Sequence, residues 1–225
     1  MFFYDWTYII LIPALIVSAW AQMKVTSTFN KYSRVGSING YTGAQVARML
    51  LDAEGLYDVP VEQISGRLTD HYDPRSRTMR LSKDVYYGTS VASIGVAAHE
   101  TGHAIQHQRH YAPLQIRNSI VPVVNFSSNA SWLIFLLGFF MGLRYLVNIG
   151  ILLFGAVVIF QLVTLPVEFN ASNRALSILK QRNILYGDEV RGAKSVLSAA
   201  AMTYVAAALT AILQLVRLIA LSRDE

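Results

Sequence analysis

The segment Ala98-His99-Glu100-Thr101-Gly102-His103-Ala104 places two histidines four residues apart, with a glutamate directly after the first. Residues four apart share one helix face, one turn above the other. His99 and His103 can therefore aim two imidazole nitrogens at a single metal ion, in the pattern H-E-x-x-H. Zinc acidifies a water that it binds, so Glu100 can take a proton during attack on a carbonyl and pass it to the leaving amine. In a chain of this length a chance match is on the order of a 1% event. The surroundings also fit. Ile94, Val96, Ala97 and Ala104 are apolar or small, as a packed helix requires, and four of the five histidines fall between positions 99 and 110.

Two histidines leave the site incomplete, because catalytic zinc usually takes three protein ligands and keeps one position open. The chain has no cysteine. The third donor must then come from His, Asp, Glu or a backbone oxygen. A third histidine six residues after the second, with glycine at the third, is one solution; here those positions are Arg109 and Gln106. His107 and His110 read as supporting or surface residues. Glu168 is the stronger candidate. It follows directly on an apolar stretch, in Leu165-Pro166-Val167-Glu168-Phe169-Asn170, where a carboxylate without a partner is costly. The competing reading neutralises Glu168 with Arg174 or with lipid headgroups.

These residues need elements to hold them. Ser90 can cap a helix over residues 91–108 that bears the motif. Thr42 can cap another over residues 42–54, with Val46, Leu50 and Ala53 at helical spacing and Gly55 ending it. Residues 68–72 and 78–81 flank Asp73-Pro74-Arg75-Ser76, a strong turn signal, and read as a β-hairpin.

Composition places this polar part beside a membrane. Of 225 residues, 53% are apolar and 15% charged, against roughly 25% charged in ordinary soluble domains. Four apolar stretches, 2–21, 120–143, 145–167 and 196–221, approach the ~20 residues that cross a bilayer. The last is the weakest, being rich in alanine with Gln214 and Arg217 near its end. Ala19-Trp20-Ala21 resembles a signal-peptide cleavage site, but no positive charge precedes the first stretch and Asp5 does, so an uncleaved anchor is favoured. The polar segments 22–119 and 168–195 hold 16 of the 19 Lys and Arg residues. By the positive-inside rule both face the cytosol, with the amino terminus outside. This returns Glu168 to the side that carries His99. The formal charge of +5 is explained by these flanks. No basic-aromatic patch points to nucleic acid. The expected fold is a mainly α membrane protein with about four transmembrane helices and a small cytosolic α+β zincin-like part. Its divisions are an anchor (1–21), a catalytic segment (22–119), a transmembrane hairpin (120–167), a second cytosolic segment with the third ligand (168–195), and a carboxyl-terminal span and tail (196–225).

Taken together, the anchor, Asp70-His71-Tyr72-Asp73-Pro74-Arg75, Arg80-Leu81-Ser82, Ala98 to Gln106 and Pro166 to Ala175 resemble the bacterial membrane-bound neutral zinc metallopeptidases of the YugP type. More distantly the chain is similar to the HtpX and CAAX-prenyl-protease class, in which one helix bears H-E-x-x-H and a later helix a glutamate ligand. The resemblance implies one zinc ion held by His99, His103 and Glu168, with Glu100 as base and acid. It implies a membrane-associated polypeptide substrate, hydrolysed at the cytosolic face of a bacterial cell membrane. It also implies that the strand Thr78, Met79, Arg80, Leu81 and Ser82 is an edge that pairs with the substrate backbone. The HtpX pattern has an aspartate four residues after the ligand glutamate. Here that residue is Ser172, so Ser172 or Asn173 is left to support a ligand histidine. Arg174, His71, Tyr86 and Tyr87 are candidates for stabilising an oxyanion.

Other functions fit less well. Intramembrane proteolysis would bury the motif in a long apolar span, whereas Gln106 to His110 and a polar hairpin flank it. A transporter would place ionisable groups along its spans, whereas Arg144, Glu168 and Arg217 lie near span ends. A catalytically silent membrane adaptor with a structural zinc site is the alternative from another class. Such a site has no need of Glu100.

Overall fold

The computed structural model describes residues 6–223. A short 3₁₀ segment, Trp6–Leu11, leads into α1 (Ile12–Tyr32). There follow α2 (Gly43–Ala53), β1 (Val61–Ile64), β2 (His71–Asp73), β3 (Thr78–Ser82), α3 (Lys83–Tyr86) and α4 (Val91–Gln108). Three long helices complete the chain: α5 (Ala112–Met141), α6 (Arg144–Gln181) and α7 (Gly187–Leu221). Four helical stretches, Trp6–Tyr32, α5, α6 and α7, are long and apolar enough to cross a membrane. At 1.5 Å per residue, α6 and α7 reach about 57 and 52 Å, well beyond the ~30 Å of a hydrocarbon core. The sequence reading divides each of them into a span and a cytosolic segment. In the structure each runs as one continuous helix, and α6 carries Pro166 within it.

Contacts group the chain into two units. Among the described residues, one contains Trp6–Gln22, Gln115–Pro166 and Met202–Arg223. Its core is built from Phe135, Val147, Phe154, Val158, Ala211 and Leu218. Glycines set how closely α5 and α6 approach. A Cβ on Gly150 would lie 2.8 Å from Phe135 Cβ, and one on Gly138 2.6 Å from the Val147 nitrogen. Such small residues let helices pack in lipid, where the hydrophobic effect gives no net drive. Arg217 is buried here. Its Nε donates to Thr7 Oγ1 at 3.1 Å, and its guanidinium sits 3.9 Å from the centre of the Tyr8 ring. These contacts offset the cost of a buried cation.

The other unit contains Met23–Leu114 and Val167–Ala201. Thr42 caps α2 as expected: its side chain accepts from Gln45 N, and the Gln45 side chain accepts in return from Thr42 N. Ser90 caps α4 in the same way through Ser93 N. The three strands form one sheet in the order β1-β3-β2. β2 pairs antiparallel with β3, Tyr72 opposite Met79, across a turn in which Asp73 accepts from Arg75 N and Ser76 Oγ. Those bonds, Ser76 first, hold the Asp73 carboxyl down at about 2.

The sheet corrects one expectation. β3 is the central strand, with β1 along residues 79–82 and β2 along 78–80, so Thr78, Met79, Arg80, Leu81 and Ser82 do not form the expected edge. β1, a short strand that the sequence pattern did not reveal, takes one side in parallel, with Val61 opposite Met79 and Met79 N donating to Pro60 O. Met79 and Leu81 are accordingly fully buried. α4 packs against the sheet through Ala97 and Ile105, while Ile94 and Ala98 face Ala175, Leu179 and Ala193. It is thus enclosed on two sides.

Replacing Thr42 with alanine removes the cap of α2 and is expected to lower stability by about 1 kcal/mol. A thermal scan in detergent should record a lower midpoint, with metal content unchanged.

Candidate active site

α4 and α6 meet backbone to backbone. A Cβ on Gly102 would lie 2.7 Å from Ala171 O and 3.2 Å from Ala171 Cα. This contact falls one residue before His103 and three after Glu168. It therefore draws the glutamate of α6 onto the histidine face of α4. His99 Nε2 lies 3.2 Å from His103 Nε2 and 3.3 Å from Glu168 Oε2; His103 Nε2 lies 3.5 Å from the same oxygen. Glu168 is only 3% exposed. His99, His103 and Glu168 are the one group among the described residues whose donor atoms gather closely enough to hold a metal ion.

The geometry and the tautomers both fit zinc. Ligands at 2.0–2.1 Å on the corners of a tetrahedron stand about 3.3 Å apart, close to the three distances seen. Gln106 is fully buried, and its Nε2 donates to Val167 O at 2.8 Å and to Asn170 Oδ1 at 3.0 Å. A carbonyl only accepts, so Gln106 Oε1 must be the atom 3.0 Å from His103 Nδ1. His103 Nδ1 then carries the proton, and Nε2 presents its lone pair to Glu168 and His99. Ser172 Oγ stands 3.2 Å from His99 Nδ1 and can accept from it in the same sense. Lone pairs converging on a buried carboxylate repel unless a cation sits between them.

Glu100 is buried, 7% exposed, and accepts a 3.0 Å hydrogen bond from Tyr72 N at Oε2. Opposite Tyr72, Met79 turns its N–H to the β1 side. Tyr72 consequently turns its own main chain outward from the sheet, toward α4. Its hydroxyl lies 2.9 Å from His107 Nδ1. Burial chiefly pushes the His107 pKa down and the Tyr72 pKa up, so the phenol donates to a neutral imidazole. His107 is thus a support of β2 on α4 and no part of the ligand set. Asp70 lies behind this strand and accepts from Ser82 N and Ser82 Oγ at 2.7 and 3.0 Å. Burial raises its carboxyl, Glu100's charge adds to that, and the Ser82 bonds oppose it.

The remaining candidates separate. Arg174 Nε donates to Asn170 Oδ1 at 2.7 Å, which ends a chain running through Gln106 to His103. His71 points its Nδ1 at Thr69 O, 2.8 Å away. Tyr86 does not join the site. It stands edge-on to Tyr87 and lines a groove with Tyr41 and Met49 of α2. Its place on short α3, turned toward α2, explains this. Gln106, Asn170, Tyr72 and Gly102 are the residues that sequence reasoning missed. Gly102 and Gln106 lie in or beside the motif and Asn170 beside Glu168, whereas Tyr72 had only its place in the resembling segment Asp70–Arg75 as a signal.

Gln106→Leu keeps the volume of the side chain but removes the acceptor of His103 Nδ1 and the amide bond to Val167 O. Zinc affinity is expected to fall about 10- to 100-fold, measured by competition with a chromogenic chelator. Gly102→Val should do at least as much by forcing α4 and α6 apart.

The comparisons with known proteins agree with this geometry. The sequence profile of a family described as "putative neutral zinc metallopeptidase" matches residues 7–223. A protein of Bacillus subtilis (strain 168) named "Putative membrane protease YugP" is 54% identical over 217 residues, covering 95% of this chain and 96% of the relative. No solved structure matches the chain. With a profile match spanning nearly every described residue and a relative of this identity, the chain belongs to the neutral zinc metallopeptidase family.

Proposed function

We propose that the protein is a multi-pass membrane endopeptidase that uses one zinc ion to hydrolyse membrane-associated polypeptides at the cytosolic face. The convergence of His99, His103 and Glu168 beside a buried Glu100 carries this reading. A structural metal site has no use for a second, non-ligating carboxylate next to the donors.

His99, His103 and Glu168 would hold the ion. When bound, zinc polarises oxygen ligands and makes water nucleophilic near neutral pH. Glu100 is the group that moves protons. Its carboxylate takes one from the attacking water and delivers it to the leaving amine. Tyr72 N–H fixes one carboxylate oxygen, which leaves the other to face the reaction. Gln106 and Ser172 hold the two imidazoles by their Nδ1 atoms, so neither ring can turn away. Because β3 is central, the strand that borders the site is β2. An extended substrate laid along its outer edge would meet the outward main chain of Tyr72.

The orientation rests on charge. The basic residues cluster in 22–119 and 168–195, and the catalytic unit is built from those segments. A membrane-proximal substrate follows from α6 itself. The helix that supplies Glu168 is also a candidate span.

Glu100→Gln preserves volume and is expected to retain about one zinc per chain. It should lower cleavage of an unfolded protein substrate by at least about 10²- to 10⁴-fold. Glu168→Gln should lose both zinc and activity. Metal analysis and a protease assay on detergent-purified protein check both. Wild type that binds no zinc would refute the proposal. Wild type that binds zinc, yet cleaves no better than Glu100→Gln, would favour the silent adaptor.

A further inference from the structure

A second polar site lies in the same unit, apart from the zinc donors. A cavity of about 630 Å³ opens between the end of α1, the loop after β1 and α3, with Phe29, Arg34, Arg67, Lys83, Asp84 and Tyr87 in its wall. Three cations face one carboxylate there. That carboxylate is already engaged: Asp84 lies 3.9 Å from Arg67. Arg67 is further positioned by Asn30 Oδ1, to which it donates, and by the Phe29 ring 5.7 Å below its guanidinium. Arg34 and Lys83 have no ion-pair partner among the described residues. Two uncompensated cations, a positioned guanidinium and aromatic walls thus share one concavity.

We infer that this cavity binds a phosphate-bearing ligand of headgroup size, with Arg34, Arg67 and Lys83 on the phosphate and Phe29 and Tyr87 against its apolar part. Like charges crowded around one cavity repel each other until an anion enters. Arginine favours phosphate because its fork matches two oxygens at once. The phosphate can belong to an anionic lipid or to a soluble phosphate ester. Volume, charge and apolar walls suit both.

The test uses full-chain protein in detergent micelles and follows the melting midpoint during titration. The probes are a short-chain phosphatidylglycerol, the matching phosphatidylcholine and glycerol 3-phosphate. Phosphatidylglycerol should stabilise wild type at lower concentration than phosphatidylcholine. Each cation contributes about fivefold to binding an anionic lipid. The double variant Arg34→Gln, Lys83→Gln should then bind roughly 25-fold more weakly. Arg34→Lys with Lys83→Arg keeps both charges and should keep most of the affinity, which separates lost charge from lost fold. Stabilisation by glycerol 3-phosphate at equal concentration, lost in the double glutamine variant, would establish the soluble source. An identical response of wild type and double glutamine variant to every probe overturns the inference. So does the absence of any shift in wild type, and so does equal loss in the charge-preserving variant.

Discussion

The site depends on a single close approach. Two helices joined through long intervening segments must pass near enough for a carboxylate on one to reach two imidazoles on the other. Gly102 makes that possible, because any side chain there would occupy the space of the Ala171 backbone. The same crossing is held a second time by Gln106, which bonds Val167 O and Asn170 Oδ1 of α6 from a fully buried position on α4. Steric fit sets the distance and buried polar bonds set the register. A one-residue slip of α6 would leave the Gln106 amide unsatisfied, at a cost of about 1–3 kcal/mol for each lost partner. The ligand triad is thus a consequence of how the helices cross. It does not have to be assembled by the metal alone.

Tyr72 ties the small sheet to this crossing. Its N–H holds Glu100, its hydroxyl meets His107, and its ring enters the core with Met79 and Leu81. One strand residue therefore fixes Glu100, the end of α4 and the sheet together. The tight hairpin turn at Asp73 keeps β2 in register with β3, and through Tyr72 it keeps Glu100 in place.

What could be read from the sequence follows from the range of each interaction. The H-E-x-x-H helix and its Ser90 cap are local, so spacing alone disclosed them. So were Thr42 and Gly55 at the ends of α2. Glu168 showed itself because a carboxylate directly after an apolar stretch calls for a partner. Gln106 did not, since its partner carbonyl lies 61 residues away. The sequence reading used it only as a glycine that was missing. β1 escaped because four residues give too little alternation to see. That omission misplaced β3: a hairpin implies two strands, whereas a parallel third strand depends on a crossover that no local pattern encodes. The helix across residue 168 shows the same difference in range. Hydropathy changes there, but helix propensity does not, and α6 continues.

Charge bears on the serine at 172, where the HtpX-type pattern has aspartate. A zinc ion held there would bring two positive charges to a site that already buries the Glu168 and Glu100 carboxyls. Asp70 stands close enough for Glu100's charge to raise its carboxyl further, on top of burial. An aspartate at 172 would add another buried anion to this group, and the desolvation cost of a carboxylate without a full partner runs to several kcal/mol. A serine hydroxyl supports His99 without that charge, as the Gln106 amide supports His103. Both ligand histidines are therefore held by neutral acceptors. In the proposed mechanism one of the two buried carboxyls, Glu168, would bind the metal and the other, Glu100, would move the proton.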